Sequence, residues 1–314
     1  YVEWLEDGRV FANREVSVIS DSDSIAVIDG NYGFGQTVGE ATVDIGVKKA
    51  LAGGVGVTAL RNAGHLGRIG DWAERAAESN VVSIHMVNVR GSLLVAPFGG
   101  IDRRGSTSPF CAGIPLPGQE PVILDFATSL VAEGKALVAL RGGKALPAGA
   151  LVSETGELTN DPRPLYGDIP KGRYPDPNNG PGALTGFGMH KGSGLNFLME
   201  MMAGALTGSG TSGSVDDEKR RKFCNGMFSV YFNVEHFHSD DWFAREVRGY
   251  VDFVKSSRPV EEGGEVLVPG EKERMTLAER TQNGLPLTEE TWNDILGATV
   301  KVGMSEAETS ALLV

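Results

Sequence analysis

His65, Arg68 and three glycines fall within Asn62-Ala63-Gly64-His65-Leu66-Gly67-Arg68-Ile69-Gly70. The apolar run Val55 to Leu60 before it reads as a buried strand, and Asp71 to Ala77 after it as a helix. A strand-to-helix turn presents backbone N–H groups and a positive helix end to an anion. Glycine lets a ligand approach the backbone, and the forked guanidinium of Arg68 matches a phosphate. On the local pattern alone a tight turn with a capping aspartate is the slightly better explanation.

Other stretches carry candidate chemistry. Asp125 ends the apolar strand Val122 to Phe126. There it either accepts hydrogen bonds from ribose hydroxyls or satisfies backbone donors at a helix start, and the two readings are even. His190-Lys191 opens a helix, where two potential cations oppose the dipole, which favours an anionic partner. Pro269-Gly270-Glu271-Lys272-Glu273 reads by itself as a charged surface turn. Gly208 to Gly213 satisfies G-x-G-x-x-G but follows a helix, so it reads as a flexible loop. His85 lies inside an apolar strand and reads as a buried neutral imidazole. His236 and His238 read as surface residues without a third ligand, no H-E-x-x-H or Walker motif occurs, and no metal site is expected.

The elements that must position these residues alternate. Strands are expected at Ser24 to Gly30, Val55 to Leu60, Val81 to Val87, Val122 to Phe126 and Met227 to Val234. Helices are expected at Gly39 to Lys49, Asp71 to Ala77, Leu130 to Leu140, Gly192 to Leu206 (Met- and Ala-rich, buried) and Asp240 to Ser256, with two short ones between Thr288 and Leu313. Val55 to Val87 has the length of a crossover unit. Residues 141–190, rich in Gly, Pro, Asn and Asp, read as a functional excursion or a partly disordered segment, and Gly208 to Asp216 as a mobile linker. The class is α/β or α+β.

The chain has 314 residues, 41% hydrophobic and 22% charged, enough for one large domain or two. Its net charge of −12 disfavours nucleic acid and anionic membranes, so an anion must be held by placed cations such as Arg68, Arg90, His190, Lys191 and Lys272. No apolar run approaches the ~20 residues of a membrane helix, and the acidic N-terminus has no signal-peptide core. Two cysteines make no disulfide framework, so a cytoplasmic location is expected.

Seven stretches in order carry a family resemblance: Tyr32 to Gln36, Asn62 to Gly70, Val95 to Gly100, Gly105 to Phe110, Ile123 to Ser129, His190 to Gly194 and Leu267 to Glu271. Along its whole length the chain resembles the malate/L-lactate dehydrogenase family, the non-Rossmann NAD(P)-dependent 2-hydroxyacid dehydrogenases. Within it, His65 to Glu74, Asn225 and Leu267 to Glu271 look most like the bacterial hydroxycarboxylate dehydrogenase subgroup. The resemblance implies an α/β fold with a mixed sheet, a family-specific non-Rossmann dinucleotide-binding topology and a smaller helical domain. It implies a division into a helical, substrate-side part at 1–21 and 240–314 and an NAD-binding part at 22–239.

The same resemblance implies NAD as cofactor, with NADP as the alternative. It implies a small 2-oxo/2-hydroxy acid as substrate and a homodimer, to which Leu198 to Met202, Trp242 and Phe243 would contribute. Relatives reducing imines or diketo sugar acids, or oxidising ureidoglycolate, define the rival activities. The implied cofactor contacts are Gly67, Arg68 and Ile69; Ile123, Leu124, Asp125, Phe126 and Ala127; His190, with Lys191 beside it; Asn225; and Gly270, Glu271, Lys272 and Glu273. Family members carry their acid/base histidine in an N-terminal Ser-His-Gly motif absent from these residues. The motif is expected upstream of Tyr1, because Tyr1-Val2-Glu3-Trp4 reads as the continuation of a helix; a catalytically inactive dinucleotide-binding protein is the alternative. His65 is then the best remaining histidine, in a supporting, substrate-side role.

Overall fold

The computed structural model describes residues 1–170, 174–216, 218, 222–238 and 241–311. Its centre is a seven-stranded mixed sheet in the order β1-β2-β3-β10-β4-β5-β6. The strands are β1 (Ser17–Asp21), β2 (Ile25–Asp29), β3 (Val55–Ala63), β4 (Val81–Arg90), β5 (Phe110–Ile114), β6 (Val122–Phe126) and β10 (Cys224–Asn233). Only β2 and β3 pair in parallel; β10 runs antiparallel between β3 and β4, and β5 antiparallel between β4 and β6. It follows that β2, β3, β4 and β6 share one direction. Asp29, Ala63, Arg90 and Phe126 therefore end at one edge, where β10 begins with Cys224 and Asn225.

Helices α2 (Gly35–Gly53) and α3 (Gly70–Glu78) cover one face and bury Val38, Val43, Trp72 and Ala73 against Ile28, Leu60, Met227 and Tyr231. The β3–α3–β4 passage is the expected crossover, with β10 inserted between its strands. The other face carries α6 (His190–Met199) and the π-helix Glu200–Leu206. This segment is buried on one side only: Met199 and Ala203 face inward, while Phe197 is 68% exposed and Leu198, Met201 and Leu206 are also exposed. The change to π geometry coincides with the buried carboxylate of Glu200, which accepts from the Ser212 N–H and hydroxyl and from Asn88.

Gly208 to Asp216 is accordingly no mobile linker. Ser209 and Ser212 are buried, and the Gly210 carbonyl accepts from Asn88 at 3.0 Å. Residues 141–190 also hold more structure than their composition implies. They contain β7 (Leu151–Val152), β8 (Leu158–Thr159), β9 (Ala183–Leu184) and α5 (Arg163–Tyr166), and with α4 (Glu133–Leu140) they build a second small core around Leu151, Leu165, Tyr166 and Leu184.

The division at residue 21 does not fit the main sheet, because Ser17–Asp21 is its edge strand, paired with β2. Helix α1 (Val2–Glu6) precedes it. The C-terminal part is helical: α7 (Trp242–Lys255), α8 (Glu271–Asn283), α9 (Glu289–Lys301) and α10 (Glu306–Ser310). The charged stretch at 269–273 is the start of α8, a helix its polar sequence did not announce. Asp240 and residues 312–314, at the ends of two expected helical stretches, lie outside the described residues.

Candidate active site

The shared edge of β2, β3, β4 and β6 collects most of the candidate residues, as ligand sites in α/β sheets require. After β3 the chain turns through Gly64 to Ile69 into α3. Asn225, 2% exposed at the start of β10, holds this turn. Its amide oxygen accepts from the Leu66 N–H at 2.9 Å, and its amide nitrogen donates to the Asn88 carbonyl at 3.0 Å. Asn225 thus ties the turn, through its amide oxygen, to β4, through its amide nitrogen. Gly35, at the first turn of α2, approaches so closely that a Cβ there would sit 2.1 Å from the His65 carbonyl oxygen.

His65 stands against Tyr1 and Trp4, and Phe34 packs on Tyr1. The Gln36 amide nitrogen donates to the Tyr1 hydroxyl at 3.1 Å, and that hydroxyl lies 2.6 Å from His65 Nδ1. A phenol that accepts from Gln36 is still able to donate to Nδ1, and in that tautomer the imidazole proton is on Nε2. Burial holds His65 below the ordinary imidazole range. The neutral ring thereby offers an Nε2–H donor.

At the start of α3 the Gly70 N–H donates to Asp125 Oδ2 at 2.8 Å. The backbone-donor reading of Asp125 is therefore realised, and its second oxygen remains for another donor. Burial raises the Asp125 carboxyl above its usual range. Among the described residues no acceptor meets the N–H groups of Gly67, Arg68 or Ile69. The Arg68 guanidinium is committed: it binds both Glu74 oxygens at 2.8 and 2.9 Å and Asp71 at 2.6 Å.

The C-terminal turn joins the same edge. The Ile123 N–H donates to the Pro269 carbonyl at 3.2 Å, and Arg274 donates to the Pro121 carbonyl at 3.0 Å. Gly270 has φ +93°, and a Cβ there would come within 3.2 Å of the Ile123 nitrogen, so glycine suits both the turn and the approach. Glu271 is spent internally, on Lys255 and the Val268 N–H. A cavity of about 460 Å³ opens between Arg68 and Glu74 on one side and Lys272, Glu273, Arg274, Thr276, Leu277 and Arg280 on the other.

At the end of β6, Phe126 meets Phe187 edge-on at 5.3 Å. Past Met189, whose φ of +59° is strained for a side-chain-bearing residue, α6 opens with exposed His190 and Lys191. The His190 ring lies 5.9 Å from Phe98, which lines an apolar cavity of about 560 Å³ together with Ile101, Leu130 and Met189.

The structure thus brings together the 67–69 turn, residues 123–127 and residues 270–273. Leu124 is exposed beside them and Ala127 half-buried. Arg90 does not belong with the placed cations. It is fully buried and donates to the carbonyls of Ser209 and Lys222 and to the Tyr32 hydroxyl. His85 lies between Ser83 and Ser229 in the sheet interior, and His236 and His238 are exposed. Among the described residues no cluster of three ligating side chains could hold a metal. Sequence reasoning missed Glu74, Gln36 and Arg280. The first had a signal, since carboxylates one and two turns into α3 face back toward an arginine at its start.

A seven-stranded mixed sheet with backbone donors, a carboxylate and a charged cavity at one end of its strands defines a class. The whole-chain comparison agrees: residues 1–296 match the malate/L-lactate dehydrogenase family, and the chain belongs to it. It is a 2-hydroxyacid dehydrogenase by family, and that family implies a nicotinamide cofactor. Hydroxycarboxylate dehydrogenase B of Escherichia coli (strain K12) is 34% identical over 312 residues, covering 99% of this chain and 83% of that protein. The malate dehydrogenase structure from Entamoeba histolytica superposes with a TM-score of 0.85 at 26% identity, over 97% of this chain and 84% of that one. The delta1-piperideine-2-carboxylate reductase from Pseudomonas syringae superposes with a TM-score of 0.74 at 26% identity, over 94% and 83%.

The residues present fit a nicotinamide dinucleotide. Three N–H groups that meet no acceptor among the described residues, a strand-end carboxylate and a cavity lined by Lys272 and Arg280 as well as Glu74 and Glu273 supply donors for a pyrophosphate and an acceptor for ribose hydroxyls.

Proposed function

We propose that this chain reversibly reduces a small 2-oxo acid of the malate, lactate or 2-hydroxyglutarate kind with NADH. The observation that carries the reading is the convergence of the 67–69 turn, Asp125 and the Gly270–Glu273 turn at one sheet edge. The N–H groups of Gly67 to Ile69 and the Lys272 ammonium hold the pyrophosphate. The free oxygen of Asp125 accepts from a ribose hydroxyl, and Ile123, Leu124, Phe126 and Ala127 form the strand-end floor. Asn225 acts through Leu66 by fixing the turn. His190, against Phe98, and Lys191 beside it lie toward the apolar cavity. Bound there, the nicotinamide supplies the hydride.

A 2-oxo acid needs a donor at its oxygens as negative charge develops on the carbonyl. The Nε2–H of His65 serves the substrate side in a supporting role. The helical part beyond residue 241, with α1 tied to α9 by Glu3 and Lys301, forms the substrate side. A homodimer is proposed as well; the exposed row Phe197, Leu198, Met201 and Leu206 supports it, and light scattering at low micromolar concentration checks it, a monomer mass counting against it.

The function is tested by following nicotinamide absorbance with a panel of 2-oxo acids and cyclic imine acids, using NADH and NADPH. Turnover confined to 2-oxo acids is expected. Reduction of the imine alone would transfer the assignment to the activity named for the Pseudomonas syringae relative.

A further inference from the structure

The cavity at the sheet edge has two unlike walls. On α8, Lys272, Thr276 and Arg280 repeat every fourth residue and so share one helix face. Among the described residues neither Lys272 nor Arg280 has a carboxylate partner. The opposite wall is Arg68, whose guanidinium is paired through Nη1 and Nη2 with the carboxylate fork of Glu74 and through Nη1 with Asp71. Arg68 also packs over Gly70, whose N–H is bound to Asp125. It therefore stands beside the carboxylate assigned to the ribose.

We propose that Glu74 sets the cofactor preference by holding Arg68 in a closed ion pair, so that a phosphate on the ribose 2′-oxygen finds no uncommitted cation beside Asp125. The inference rests on the cofactor placement given above. A bidentate carboxylate satisfies the guanidinium fork that a phosphate would otherwise occupy. An incoming 2′-phosphate must compete with Glu74 for the guanidinium and lie among Glu74, Asp71 and Asp125, three carboxylates at close range. The unphosphorylated ribose asks for none of this, and its pyrophosphate is served by Lys272 and the backbone donors. With Glu74 neutral, Arg68 becomes the cation next to the ribose, and the selection against the phosphorylated cofactor falls.

The test titrates four proteins with NADH and with NADPH, following nicotinamide fluorescence: the unaltered chain, Glu74→Gln, Asp71→Asn, and Glu74→Gln combined with Arg68→Ala. The quantity read is the ratio of the NADPH and NADH dissociation constants. The unaltered chain should favour NADH. Glu74→Gln should lower the ratio about tenfold, the scale of one charge-assisted contact. Asp71→Asn, which leaves the bidentate pair in place, should move it less than about threefold. The double variant should return the ratio to that of the unaltered chain, because the gain runs through Arg68. An unchanged ratio in Glu74→Gln with NADH still bound overturns the inference and leaves the proposed function standing. An equal shift in Asp71→Asn overturns it too, since the effect is then general charge rather than the pair. Failure of the unaltered chain to bind either cofactor overturns both.

Discussion

Asp125 joins the turn and the ligand in one side chain. Its Oδ2 caps the Gly70 N–H, and its other oxygen is assigned to the ribose. The two tasks separate by substitution. Asp125→Asn keeps an acceptor for Gly70 but removes the charge, and should weaken NADH binding about tenfold with stability nearly unchanged. Asp125→Ala should in addition lose about 1–2 kcal/mol of unfolding free energy, read by urea denaturation, because a buried donor loses its acceptor. Equal NADH affinity in all three proteins would reduce Asp125 to a cap. At His65, burial lowers the imidazole pKa, so the neutral donor persists to lower pH than an ordinary histidine allows. The acid limb that His65 contributes to kcat/KM should therefore lie below the usual 6.5 of free imidazole. His65→Gln should erase that limb and raise KM more than it lowers kcat. A limb unmoved in the variant would assign it to another group.

At the scale of elements, the positions of α2 and β10 decide whether the turn is in place. Gly35 leaves no room for a methyl group against the His65 carbonyl. Gly35→Ala should therefore cost about 1–3 kcal/mol of stability and raise KM for the 2-oxo acid, while Gly53→Ala, at the open end of the same helix, should do neither. Comparable KM values in the two variants would show that α2 does not locate His65. The strands were legible at this scale because their apolar runs are short and bounded: Val122–Phe126 is found as read, and β3 runs only three residues past Leu60. The helix Glu271–Asn283 was not legible. It is polar all round and mostly exposed, so it carries no apolar periodicity. The loop at 208–216 misled for a related reason. Its Gly and Ser composition reads as slack, whereas its order comes from Glu200, Asn88 and Arg90, which are distant in sequence. Glu74 escaped notice although its place in the early turns of α3 was a signal, because the bidentate pair with Arg68 also depends on where the turn folds back.

For the whole molecule, the sheet interior sets an acid limit on stability. His85 is sealed between Ser83 and Ser229, and burial pushes its pKa down to about 3. The unfolded chain binds a proton there below about 6.5, but the folded chain does not. Stability is then present above that pH and lost as pH falls toward 3, by about 1.4 kcal/mol per pH unit from this group. Between pH 6.5 and 5 the unaltered chain should lose about 2 kcal/mol more than His85→Gln in denaturant titrations. Parallel losses would mean that the imidazole charges inside the fold.

One sheet edge, assembled from three distant segments, is proposed to hold the nicotinamide cofactor. Hydrogen exchange of the 314-residue chain, with and without saturating NADH, tests it most directly. Exchange should slow together in residues 65–70, 123–127 and 270–273, with little change in the strands that carry them. Protection confined to the apolar cavity at 96–101 and 148–158, with those three segments exchanging as before, would contradict the account.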